Sequence, residues 1–243
     1  MSAAAPAELA PTGVLRVGIN LGNPVIAQRN PTGGDPRGVG AALGRELARR
    51  AGLSVRFVQF DTAGLMADAV KQAAWDVAFL AIDPARATDI DFSDAYVLIE
   101  GAYMVPDDSP LQAIGEVDRA GIRIAVGLKT AYDLFLTREI KHAELVRAPS
   151  SRAAIDQFLA EKLDVVAGVR QPLAAAAREH PGLRILAESF MVIRQASGVP
   201  RGRPEAARYL AAFIEEAKAS GIVERELRQS GVTDVTVAPP AGA

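Results

Sequence analysis

The chain has no cysteine, which excludes disulfides, thiolate metal ligands and a cysteine nucleophile together. It has two histidines, His142 and His180, and neither has clustered acidic partners at ligand spacing, so no metal site is expected. Aromatic residues make up 5% of the sequence, and neither sign of charge dominates: 27 basic residues stand against 29 acidic ones, a formal charge of −2. Nucleic-acid binding is therefore not expected, because it needs clustered positive charge. Heptads and a solenoid period are missing, and no apolar run is long enough to span a bilayer, so no membrane insertion is expected. The opening MSAAAPAELAPTG lacks both the basic start and the apolar core of a secretory signal, and its Ala/Pro composition reads as a loose tail over 1–13.

What is present is an α/β rhythm. At 243 residues, with 49% apolar and 23% charged, the chain can form one large domain or two small ones. Leu15–Ile19 reads as a strand, followed by a polar loop from Asn20 to Arg37. Val39, Leu43, Leu47 and Ala51 place one apolar stripe on a helix that Gly52 ends. Ser54–Phe60 is a strand, Leu65–Ala73 a helix and Val77–Ala81 a buried strand, leading to a turn with Asp83, Pro84, Ala85 and Arg86. An apolar run from Tyr96 to Val105 stops at PDDSP, 106–110, where the first crossing between domains is expected. A second block follows: strand Ile122–Val126, a helix from Ala131 to about Ile140 capped by Thr130, and a helix with Ile155, Phe158 and Leu159 capped by Ser151. It continues with strand Asp164–Val169, a helix after Pro172 and strand Arg184–Ala187. Phe190–Ile193 reads as the return crossing. Pro204–Gln229 is helical with an interruption at Gly221 and a core face of Tyr209, Leu210, Phe213 and Ile214, and VAPPAGA, 237–243, is expected to fray.

The order of these pieces resembles the extracellular solute-binding proteins of family 3, the amino-acid-type receptors of bacterial ABC importers. The resemblance runs through LRVGIN (15–20), the helix from Gly38 to Gly52, WDVAFLAIDPARATDIDFSDAY (75–96), IAVGLKTAYD (124–133), LDVVAG (163–168) and EEAKASGIVERELRQSG (215–231). The stretch around DPAR and DFSDAY is its most specific part. It implies an α/β, two-lobed periplasmic binding protein type 2 fold with two hinge strands: a discontinuous first lobe over 14–105 and 194–243 and an inserted second lobe over 106–193. Hinge closure on a small ligand would follow. The resemblance also implies an ABC permease as partner, a monomeric chain and no cofactor.

Arg86 follows a proline turn after an apolar strand, where a guanidinium can offer a planar two-donor fork to a carboxylate. The resemblance assigns it that role; the plainer alternative is a surface arginine paired with Asp83 or Asp89. Thr130 matches the family threonine that donates to the same carboxylate, a role compatible with capping a helix, since a helix N-terminus favours anions. Lys129 stands where the family has glycine and would add a positive charge. Asp83, where relatives often carry threonine, lies just beyond Ala81; its anion can orient Arg86 or compete with the ligand for it, and orientation is expected. Asn20 ends the first strand. Tyr96 and Glu100 lie on the crossing strand, with core packing and a solvated carboxylate as their alternatives. Val169 replaces an aspartate that holds the ligand's ammonium in amino-acid receptors, Gly40 and Ala42 replace acidic residues, and Asn20–Val25 lacks a covering aromatic. A small carboxylate without a nearby ammonium is therefore expected, with Glu100 or Asp83 as candidates for a substituted negative charge.

No catalytic residue is assigned and no enzyme is expected. The rival reading is a cyclohexadienyl dehydratase-like enzyme, in which a cleft carboxylic acid, Glu100 being nearest, protonates a departing hydroxyl. A third reading is a non-transport sensor that uses the same closure. GVGAALG at 38–44 does not make a dinucleotide site, because a long loop separates it from the preceding strand, and no G-x-S-x-G elbow is present. A periplasmic location is expected if a signal peptide was removed, and a cytoplasmic one if the chain is complete as written.

Overall fold

A computed structural model of the chain describes residues 4–242. The chain divides into two compact units, one formed by the residues up to Leu98 together with those from Arg194 on, the other by Ile99–Ile193. The first unit begins with helix α1 (Ala4–Leu9), strand β1 (Val14–Asn20), helix α2 (Val39–Ala51), strand β2 (Ser54–Phe60), helix α3 (Ala63–Asp68) and strands β3 (Val77–Ala81) and β4 (Ile90–Phe92). Strand β5 (Val97–Pro106) carries the chain into the second unit at Leu98 and Ile99, ahead of the PDDSP turn. There follow β6 (Arg123–Gly127), α4 (Ala131–Glu139), β7 (Glu144–Ala148), α5 (Ser151–Ala160), β8 (Val165–Val169), α6 (Arg170–Glu179) and β9 (Leu183–Ile185). Strand β10 (Met191–Pro200) returns at Ile193 and Arg194, and α7 (Pro204–Ala219), α8 (Ile222–Gln229) and β11 (Thr236–Val237) complete the first unit.

In the first unit β1 runs parallel to β2 on one side and β3 on the other, with Val17 opposite both Phe57 and Val77. Strand β10 lies antiparallel to β3, and β4 antiparallel to β10. The carboxyl ends of β1, β2 and β3 therefore share one edge. Alternation along β1 buries Leu15, Val17 and Ile19. The apolar stripe of α2 buries Val39, Leu43 and Leu47, and Gly52 closes the helix in the left-handed conformation at φ 69°. Trp75 is fully buried and its indole N–H donates to the Met66 carbonyl at 2.8 Å, which lets a large polar-tipped side chain fill the core.

Both ends of the chain are more ordered than their composition suggests. Met1–Ala3 and Ala243 lie outside the described residues, but α1 packs on α7 with Leu9 buried. Helix α7 has no side-chain cap of its own, and the Glu8 carboxylate supplies one by accepting the N–H groups of Glu205 and Ala206 at 2.8 and 3.0 Å. At the other end, β11 pairs with the start of β5, Thr236 opposite Leu98. The Ala238 N–H donates to the Tyr96 carbonyl, and Pro239 accepts from Lys218 Nζ at 2.8 Å. Backbone pairing thus orders a segment that its prolines and small residues mark as loose.

In the second unit β6 runs parallel to β7 and β8, with Ala125 opposite Val146 and Val166. Strand β5 lies antiparallel to β8 and β9, Gly101 opposite Val169 and Met104 opposite Ile185. Met104, Phe158, Leu163, Val166 and Leu173 belong to one buried cluster. Helix α5 is capped by Ser150 rather than Ser151, Ser150 Oγ accepting the Ala153 N–H at 3.1 Å. Helix α6 starts at Arg170, so Pro172 sits in its first turn, where a missing N–H leaves no helical bond unmade.

Candidate functional site

The sequence-selected residues fall into two groups, one at the carboxyl edge of each unit's parallel strands. In the first unit β3 ends at Ala81, and Asp83 builds the next turn: its Oδ1 accepts the Ala85 N–H at 2.8 Å, and its carbonyl accepts those of Arg86 and Ala87 at 3.0 Å. This turn delivers Arg86, at the start of a 3-10 turn, to a buried position with 6% exposure. Its Nη1 donates to the Ala81 carbonyl at 2.9 Å. Burial pulls the guanidinium pKa down to about 10, and the nearby carboxylates of Asp83 and Asp68 oppose that fall, so Arg86 remains cationic at neutral pH. Arg86 is therefore no surface arginine, and Asp89 pairs instead with Lys71. Asn20, at the end of the adjacent β1, accepts the Gly22 N–H through Oδ1 at 2.9 Å.

In the second unit the turn from β6 to α4 is held at every residue. The Leu128 N–H donates to the Ala148 carbonyl at 2.8 Å, and the Lys129 N–H to Asp133 Oδ2 at 2.7 Å. Thr130 Oγ1 donates to the Gly127 carbonyl at 2.8 Å and accepts the Asp133 N–H at 3.1 Å. Lys129 takes a left-handed backbone, φ 56°, so the turn keeps a shape that glycine adopts more easily. Gly127 is required for close approach, since a Cβ there would stand 2.8 Å from the Ser151 backbone nitrogen. Thr130 is thus buried and caps α4, while Lys129 is exposed.

Val169 ends β8 and forms the N-cap of α6 without a capping side chain. Glu100, on β5, lies one residue from the Gly101–Val169 pair, and its carboxylate is ion-paired with Arg170 Nε. Arg170 also donates from Nη2 to the Ala187 carbonyl at 3.1 Å. The structure thus brings Ala81, Asp83 and Arg86 together in one unit, and Lys129 and Thr130 in the other. Glu100 meets Arg170 rather than another acid. Tyr96 is buried in the core, edge-on to Phe79 at 5.9 Å between centroids. Gly40 is buried with Ile26 Cγ2 only 3.0 Å from where a Cβ would stand, which explains why no acidic side chain occupies that helix position.

Sequence reasoning missed Asp68, Asp133 and Arg170. Asp133 was the most accessible of these, because Thr-x-x-Asp ahead of an apolar stretch is a helix-start pattern. Among the described residues there is no cluster of three or more His, Asp or Glu fit to hold a metal, and no helix long and apolar enough to cross a membrane. A groove of about 510 Å³ in the second unit, walled by Leu111, Phe158, Lys162 and Leu183 among others, contains none of the candidate residues.

No curated protein matches the chain significantly in sequence. Solved structures do match it in fold. A solute receptor for L-cysteine of Neisseria gonorrhoeae is 19% identical, with a TM-score of 0.82 over 97% of this chain and 100% of that one. A histidine kinase sensor domain with similarity to periplasmic binding proteins is 21% identical, with a TM-score of 0.78 over 93% and 98%. The ancestral amino-acid-binding protein AncCDT-1, a precursor of cyclohexadienyl dehydratase, is 19% identical, with a TM-score of 0.76 over 92% and 98%. These likenesses establish the α/β, two-lobed periplasmic binding protein fold, with β5 and β10 as the two strands that join the units. The family model of the bacterial extracellular solute-binding proteins, family 3, matches residues 15–229, and the chain belongs to that family.

Proposed function

We propose that this protein is the receptor component of a bacterial ABC importer, closing a discontinuous first lobe and an inserted second lobe on a small carboxylate-bearing ligand. The observation that carries this reading is Arg86. It is a cation held charged in a buried position immediately beyond the carboxyl end of β3, and open α/β sheets take ligands at such edges. Burying a guanidinium is costly, and recognition of an anion is a reason to bear that cost. In the second lobe Lys129 and the N-terminus of α4 add positive potential suited to the same carboxylate, and Thr130, which caps that helix, would donate to it on releasing the Gly127 carbonyl. Asp83 orients Arg86, with Ala81 and Asn20 completing the first-lobe edge.

Family membership and the likeness to solute receptors support a small-molecule ligand, a permease partner and a periplasmic setting. The dehydratase reading needs a carboxyl free to give a proton, whereas Glu100 is engaged by Arg170, so we read the protein as a binding protein and not an enzyme. The test is a set of small carboxylates measured by the rise in melting temperature, with Arg86→Lys beside the wild type. A ligand present at a hundred times its Kd stabilises the native state by about 2.7 kcal/mol. Lysine keeps the charge but loses the planar fork, so the variant is expected to bind about tenfold to a hundredfold more weakly. A wild type that no carboxylate stabilises, or a response equal in both proteins, defeats the reading.

A further inference from the structure

Three large apolar side chains are conspicuously exposed among the described residues: Leu65, Leu128 and Val192. Leu128 lies at the carboxyl edge of β6, held by its own N–H to Ala148 and by the hydrogen-bonded turn that follows it. The parallel register of β6 and β8 pairs Ile124 with Val165 and Ala125 with Val166. Counted on from these pairs, Leu128, just past the end of β6, and Val169, the last residue of β8, are equivalent positions in the two strands. Val169 is half-buried and Leu128 is 44% exposed. The carboxyl edge of the second unit therefore carries two apolar residues at equivalent strand-end positions, one followed by Lys129 and the N-terminus of α4, the other by Arg170, which is paired with Glu100.

A single exposed leucine would be unremarkable, but this one stands on a hydrogen-bonded turn beside groups suited to an anion, and its exposure leaves apolar surface in water. Small-ligand sites place a mostly apolar lining beside a few fixed polar groups. Polar groups suited to an anion stand directly beside this apolar pair. A positively charged ligand group is poorly served there: the Glu100 carboxylate is neutralised by Arg170, and the nearest strand-end side chain is Val169.

We infer that Leu128 and Val169 together receive the body of the ligand, which makes the ligand an apolar monocarboxylate with no ammonium on its α-carbon, such as a branched-chain or aromatic 2-oxo acid. This rests on the carboxylate reading above and narrows it. The ligand's carboxylate faces the cationic part of the edge while its hydrocarbon covers Leu128 and Val169, so the site discriminates by what it fails to offer an ammonium.

Matched pairs of acids with one carbon skeleton test this: pyruvate and L-alanine, 3-methyl-2-oxobutanoate and L-valine, 4-methyl-2-oxopentanoate and L-leucine, phenylpyruvate and L-phenylalanine, with succinate and L-glutamate as more polar probes. Each is titrated calorimetrically against the wild type, Leu128→Ala, Val169→Asp and Arg86→Lys. The preferred 2-oxo acid is expected to bind at least about tenfold more tightly than its amino acid, and Leu128→Ala to weaken the larger skeletons while sparing pyruvate. Val169→Asp is expected to reverse the preference within a pair. It should fold, because aspartate is a better N-cap for α6 than valine, and circular dichroism checks this. If Val169→Asp fails to fold, the wild-type ranking and Leu128→Ala decide the matter. Tighter wild-type binding of an amino acid or of succinate, still sensitive to Arg86→Lys, overturns the apolar-body inference and leaves the carboxylate reading standing. Failure of every acid to bind overturns both.

Discussion

Arg16 in β1 holds Asp76 just ahead of β3; Arg123 in β6 holds Asp164 just ahead of β8. In each unit the arginine's backbone N–H donates to the aspartate, at 3.1 and 2.8 Å respectively. Its guanidinium also donates to the carbonyl of a left-handed residue at φ 49°, Ala73 in the first unit and Lys162 in the second. There the likeness stops. The Asp76 side chain is fully buried, takes two bonds from the Arg16 guanidinium at 2.8 Å and receives Arg203 at 3.1 Å. The Asp164 side chain is 37% exposed and meets Arg123 Nε at 3.4 Å. One local pattern is thus a buried, fully satisfied charge cluster in one unit and a solvated clasp in the other, so its energetic weight is set by burial and not by the pattern.

The largest expected effect tests that statement. Asp76→Ala leaves Arg16 and Arg203 without their buried counter-charge and is expected to cost about 3–5 kcal/mol. Asp164→Ala, at a solvated pair, is expected to cost no more than about 1 kcal/mol. Urea unfolding of both variants at neutral pH checks this, and equal costs would break the comparison. Acid sharpens it. Burial pushes the Asp76 carboxyl upward, but hydrogen bonds from the Arg16 side chain and backbone and from Arg203 outweigh this and hold it below the ordinary aspartate range. A depressed carboxyl contributes stability above its unfolded pKa, about 3.9, and that contribution is lost as pH falls through the folded value. Asp76→Asn is therefore expected to flatten the acid limb of the wild-type stability curve.

These clusters also mark where sequence stops being informative. The stripe of Val39, Leu43 and Leu47, the stop at Gly52 and the strands at Ser54–Phe60 and Val77–Ala81 were all legible, because helix and strand periodicity and chain breakers act locally. Strand β4 is only three residues long and β7 is a polar-flanked edge, too little pattern to declare itself. The same limit divides the candidate site. The proline turn, Arg86 and the Thr130 cap could be read locally, whereas the burial of Arg86 depends on packing from several elements. The Glu100–Arg170 pair joins positions 70 apart in sequence, and nothing near either residue announces the other.

A second contrast between the units concerns buried tyrosines and is expected to be smaller. Tyr96 in the first unit is fully buried and its hydroxyl has no hydrogen-bond partner among the described residues. Tyr132 in the second is 2% exposed and shares a hydrogen bond of 2.8 Å with Ser151 Oγ. Removing an unsatisfied buried hydroxyl relieves a desolvation cost, whereas removing a satisfied one strands its partner. Tyr96→Phe is accordingly expected to raise stability by about 1 kcal/mol and Tyr132→Phe to lower it by about 1 kcal/mol. Opposite shifts in urea midpoint would sharpen the contrast; shifts of one sign would break it.

The smallest expected effect returns to the two clasps through Ala73 and Lys162. Both hold φ 49°, a conformation that costs an L-residue about 1–2 kcal/mol and glycine almost nothing. Glycine also gives the unfolded chain more freedom, which takes back about 0.4–1 kcal/mol, so Ala73→Gly and Lys162→Gly are each expected to stabilise by about 0.5 kcal/mol. If the backbone conformation is a purely local cost, the two gains are equal despite the unequal burial of the clasps. A loss at Ala73 with a gain at Lys162 would mean that the buried clasp needs a stiff carbonyl at position 73 to aim at Arg16, which it meets at 2.6 Å. Stiffness would then distinguish the two units as well as burial, and a double-mutant cycle of Ala73→Gly with Arg16→Ala would show the coupling directly.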